Sequence, residues 1–143
     1  MNNTNAHNHA AFLLRLSLGV ILLAHGLMKI MIFTIPGTVG YFESIGYPAI
    51  IAHLTIWGEV LGGAAMIIGF HTRIVALLSL PMLLGAAWTH MANGWVFSNQ
   101  GGGWEFPVLL VMLAVIVTIQ GGGSFSVKGL PQVNKRLPKA LRA

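Results

Sequence analysis

Four apolar runs, at about residues 11–33, 48–70, 73–92 and 104–120, each approach the length a helix needs to cross a bilayer. The hydrocarbon core is ~30 Å thick and a helix rises ~1.5 Å per residue, so ~20 apolar residues make one span. Backbone polar groups in lipid are satisfied only within helices or closed barrels, and these runs lack the alternation of barrel strands. The expected fold is therefore all-α, an up-down bundle of four transmembrane helices. Composition agrees: the chain is 55% hydrophobic and 8% charged, whereas soluble domains are about 25% charged.

The connections carry turn residues: Pro36, Gly37, Gly40 and Gly46 in 34–47, the tight pair His71 and Thr72, and an uncharged 93–103 loop ending in three glycines. This divides the chain into a polar N-terminal tail (1–10), a membrane domain (11–123) and a basic tail (124–143). The first ten residues contain no Lys or Arg, unlike the basic start of a secretory signal. The first run is accordingly expected to remain as a span. Five of the eight basic residues, Lys128, Lys135, Arg136, Lys139 and Arg142, follow the last run, and Arg73 marks the second connection. The positive-inside rule then puts both termini in the cytoplasm, with Trp88, Trp95 and Trp104 as an outer aromatic belt. The basic tail is read as a contact with membrane lipids, and nucleic acid is excluded as a partner.

No cysteine is present, which excludes disulfides, a thiol relay, iron–sulfur clusters and covalent haem attachment. Against this background, Arg15, His25, Lys29, Glu59, His90 and Glu105 stand inside or at the ends of the apolar runs. Ionisable groups at membrane depth cost at least ~2.5–3.5 kcal/mol on insertion scales, so they usually face a protein interior or wet cavity. At 100° per residue, Leu18, Leu22, His25 and Lys29 share a face of the first helix. Arg15, close to the inner interface, either snorkels or joins them.

Glu59 falls near the middle of the second run beside Thr55 and Met66, and needs a cation from the preceding helix: Arg15, His25 or Lys29. Gly58, Gly62, Ala65 and Gly69 form a small-residue seam for close helix approach. On the third run Ser79, Leu83, Ala86, His90 and Asn93 share a sector, with Pro81 expected to kink the helix beside Ser79. Glu105 opens the fourth run, where it is either a site carboxylate or a favourable charge at the helix N-terminus. The expected catalytic set is His25, Glu59, His90 and Glu105, with Arg15, Lys29 and Asn93 as ligand-binding residues. No metal is assigned, because the Glu-x-x-His spacing of di-iron bundles is missing.

Over about residues 11–130 the chain resembles the DoxX family of small bacterial membrane proteins. The matching pieces, in order, are Arg15-Leu16-Ser17-Leu18-Gly19, His25-Gly26-Leu27-Met28-Lys29, Phe42-Glu43 with Gly46 and Pro48, Glu59-Val60-Leu61-Gly62-Gly63, Gly69-Phe70-His71-Thr72-Arg73, His90 with Asn93-Gly94, and Gly103-Trp104-Glu105. The resemblance implies a four-span bundle in a bacterial inner membrane and, through family members associated with thiosulfate–quinone oxidoreduction, a redox role.

The leading expectation is a membrane redox component that binds a quinone or quinol, with a protein partner supplying electrons. A homo-oligomer is the alternative assembly. Two other functions stay open: a non-catalytic anchor or assembly subunit, and a small proton-coupled carrier.

Overall fold

A computed structural model describes residues 3–127 and 131–142. Among them the secondary structure is entirely helical. Helix α1 spans Asn3–Met31, α2 Ile35–Ser44, α3 Ala49–Ile68, α4 Thr72–His90, α5 Glu105–Gln120 and α6 Pro131–Arg136, with single 3-10 turns at Met91–Asn93 and Lys139–Leu141. Helices α1, α3 and α4 are long and apolar enough to cross a membrane, and α5 is a shorter apolar helix. Large side chains such as Leu13, Leu61, Leu78 and Ile119 face outward, as lipid-facing positions do.

The antiparallel pairs α1/α3 and α4/α5 are the two most extensive contacts, and α3 packs less fully on α4. Leu18, Leu22 and Met66 from the first pair meet Ala76, Leu83, Leu110, Ala114 and Val117 from the second in one buried core. The tight approach falls between Gly63 and α1: a Cβ at 63 would lie 2.5 Å from Leu23 N and 2.8 Å from Gly19 O. Only a residue without a side chain permits backbones this close. The seam expected at Gly58 and Gly62 instead faces α4, where an added Cβ would find Met82 Sδ at 3.5 Å and Val75 Cγ1 at 3.7 Å, ordinary spacing. Position 63 lies one residue, or 100°, around the helix from 62, and that rotation separates the packed face from an open one.

Helix ends explain the connections. Gly69, at φ 76°, closes α3 with its N–H on Met66 O and the Phe70 N–H on Ala65 O, the paired bonds of a Schellman motif. The 34–47 connection contains a helix of its own, α2. Thr34 caps it by accepting from Gly37 N (3.2 Å), with proline in the first turn.

The N-terminal decapeptide is also partly helical, since α1 begins at Asn3. Its polar turn is held by docking: Phe125 packs edge-on against Phe12 and tilted against His9, and Ser124 N donates to Asn8 O. Of the basic tail, Lys128 lies outside the described residues. Helix α4 continues through Pro81, which removes one backbone donor from its middle.

Candidate functional site

The sequence-derived residues divide between the two ends of the bundle and the connections. At the end where α1 begins, Arg15 is completely buried and donates to five backbone carbonyls: Met66, Ile67, Gly122, Ser124 and Phe125. A planar guanidinium can satisfy such a fan of acceptors, including carbonyls in the last turn of α3, where the helix's own donors run out. Arg15 therefore neither snorkels nor joins the other candidates. Arg73 does the same for α5, donating to Thr118, Ile119 and Gln120 carbonyls, and also reaches Ala140 O in the tail.

At the opposite end, the last turns of α1 carry Lys29 to the middle of α3. Its Nζ lies 2.9 Å from Glu59 Oε1 and 2.7 Å from Oε2, a two-oxygen ion pair with side chains only 16% and 10% exposed. Gly26 makes this possible, because a Cβ there would strike Val60 N at 2.9 Å and Glu59 Cβ at 3.0 Å. Thr38 of α2 is buried and donates to Lys29 O at 3.1 Å, fastening α2 over the pair.

These residues wall a cavity of ≈ 760 Å³ between α2, α3, α4 and the end of α1. Lys29, Thr38, Tyr41, Tyr47, Glu59 and His90 contribute polar groups, and Phe33, Phe42, Ile45, Ile51, Pro81 and Met82 supply apolar wall. The volume falls within the ~300–1,000 Å³ typical of small-molecule sites, as does the pattern of few polar groups on apolar walls. His90 is set by a 2.8 Å bond between Nδ1 and Ala86 O. A carbonyl accepts only, so Nδ1 carries the proton and Nε2 is the nitrogen left for a ligand.

The remaining candidates lie outside this cavity. His25 donates through Nδ1 to Ile21 O at 2.9 Å, stacks on Phe106 at 6.1 Å between centroids, and stands within electrostatic reach of Glu59. Asn93 organises the third connection, donating to Gly101 O and Gly102 O while its own carbonyl accepts from Asn99. Glu105 accepts from the Phe97 backbone N–H at 2.7 Å, tying that loop to the start of α5. Trp95 and Trp104 close the same loop edge to face at 4.4 Å.

Sequence reading brought together Lys29, Glu59 and His90 but passed over Thr38, Tyr41 and Tyr47, which belong to or follow α2. The available signal was Thr34 as an N-cap with Pro36 just inside the helix, the usual start of a helix. Glycines at 37, 40 and 46 masked it.

A relative from Bacillus subtilis (strain 168), named "Putative oxidoreductase CatD", is 33% identical over 109 residues, covering 76% of this chain and 77% of its own. No solved structure matches. The model of the DoxX family matches residues 10–92, a stretch that holds most of α1, all of α2 to α4 and with them Lys29, Glu59, His90 and the cavity wall. On that match, and on the extent of its likeness to the B. subtilis protein, the chain belongs to the DoxX family.

Proposed function

We propose that this protein is a quinone- or quinol-linked redox component of a bacterial inner membrane, with its ligand in the cavity under α2. The observation that carries the reading is the Lys29–Glu59 ion pair set in the wall of an otherwise largely apolar, ligand-sized cavity. An ion pair that served packing alone would gain nothing from a cavity beside it. The relative's name adds an oxidoreductase context.

The chain's own residues supply recognition and proton handling. Lys29 has three ammonium hydrogens and gives bonds to the two Glu59 oxygens, so one remains for an acceptor on the ligand. His90 offers Nε2 from α4, and the Tyr41 and Tyr47 hydroxyls come from the α2 side. Polar contacts inside the apolar wall are strengthened by the low local dielectric. A bound quinone would supply two-electron, two-proton chemistry, and Glu59 and His90 would each hold one of the two protons, with His25 near Glu59 as a relay. With no thiol and no cysteine for covalent haem attachment, the electrons come from a protein partner or from a tightly bound cofactor. In this reading Arg15, Asn93 and Glu105 do structural work through their bonds to the backbone.

Titration of the purified protein with a ubiquinol analogue tests this. Binding that weakens in Glu59→Gln and Lys29→Met is expected. No binding, together with no turnover from any candidate donor, would refute the reading.

A non-catalytic assembly subunit is the second reading, favoured by one observation: Lys29–Glu59 joins α1 to α3. It predicts that Glu59→Gln impairs assembly of the parent complex yet leaves assembled activity intact. The quinone reading predicts intact assembly and lost activity.

A further inference from the structure

We infer that the open groove between α3 and α4 seats the isoprenoid tail of the ligand, which enters sideways from the bilayer. This rests on the quinone reading of the cavity above it. The groove encloses ≈ 640 Å³ and adjoins the cavity, since Ile51, Thr55, Pro81 and Met82 line both. From Thr55 to Ala65 it follows α3 for about 15 Å at ~1.5 Å per residue, past the level of Glu59 and away from α2.

Its chemistry changes along that path. The cavity presents Lys29, Glu59 and His90, whereas the groove has no charged side chain. Of its few hydroxyls, Ser79 already donates to Ala76 O at 2.7 Å, and Thr55 stands at the junction. A polar head followed by a long hydrocarbon chain fits this order, head under α2 and tail below.

The groove is open to the side. Its rim residues Leu54, Leu61 and Leu78 are 62%, 65% and 70% exposed, so they face acyl chains and leave a lateral way in. Gly58 and Gly62 keep the floor low without being needed for helix approach, because a Cβ at either is in ordinary contact distance of α4. A larger residue there fills the groove and leaves α1/α3 packing untouched.

The test uses the full-length protein in nanodiscs and a quinone carrying a diazirine at the end of its tail, with adducts mapped by mass spectrometry. Adducts concentrated on Leu61 and Leu78 are expected, falling at least about tenfold in Gly62→Leu or Gly58→Leu. A short-tailed quinone should bind those variants as it binds the parent protein. Adducts spread over outward residues such as Leu13 and Leu109, with head binding intact, would overturn the tail assignment alone. So would equal labelling by a diazirine-tailed phosphatidylcholine that quinone fails to displace, or a groove unlabelled by the quinone whose filling by Gly62→Leu splits a dimer into monomers. Failure of the short-tailed quinone to bind the parent protein would instead sink the quinone reading, and the tail assignment with it.

Discussion

At the scale of single residues, the ion pair sets the sharpest expectation. Removing one partner of a poorly solvated pair strands the other charge, at a cost on the order of 3 kcal/mol, whereas replacing both by apolar groups can be nearly neutral. Thermal unfolding in detergent, followed by helical circular dichroism, should therefore rank Lys29→Met and Glu59→Leu below the double variant that combines them. A double variant less stable than both singles would contradict that account. The glycines give a second contrast. Gly63→Ala forces a Cβ against Leu23 N and Gly19 O, backbone atoms that cannot step aside, while Gly85→Ala meets nothing within 4 Å. The first should lower stability by about 1–3 kcal/mol and the second should not, again read by thermal unfolding. At this scale the sequence showed that Glu59 needs a cation but not which one. Arg15, near the middle of α1, and Lys29, in its last turn, stand about 21 Å apart along the helix at ~1.5 Å per residue, and only the antiparallel offset of α3 decides between them.

At the scale of elements, two arginines finish two helices. Arg15 and Arg73 bind the terminal carbonyls of α3 and α5 from the neighbouring, oppositely directed helix, where cations also oppose the negative end of the macrodipole. Lysine, a point charge without the planar fork, cannot make the same set of bonds. Arg15→Lys is accordingly expected to accelerate amide hydrogen exchange in residues 122–127 and the last turn of α3, leaving α4 protected; uniform acceleration would mean global loosening instead. The spans were legible because long apolar runs permit little else. Helix α2 was not, since three glycines and a proline outweighed a cap and ten residues of modest pattern. Its consequence for the site is large, because Tyr41 and Phe42 come with it and Tyr47 follows. The small-residue seam was legible as a pattern, but the close backbone approach falls at Gly63, adjacent to Gly62 in sequence and 100° from it in space.

At the scale of the molecule, both ends can be addressed separately because the chain has no native cysteine. Gly40, exposed on α2 with nothing within 4 Å of an added Cβ, and Lys139, exposed in the C-terminal tail, serve as single labelling points. An impermeant maleimide applied to intact bacterial cells should modify Gly40→Cys, and Lys139→Cys only after lysis. The reverse result would invert the expected orientation.

Helix α5 has 16 residues, a rise of about 24 Å, against ~30 Å of hydrocarbon in an average bilayer. Lipid beside it must thin, or the helix must be drawn inward with its flanking loops. Either way the water surface dips on that flank and, on the quinone reading, brings protons closer to His90 and His25. Chains longer than the native lipid's should stretch this dimple, so activity ought to fall with acyl length in nanodiscs before the fold melts; indifference to thickness would show that the neighbouring helices shield α5 from the bilayer.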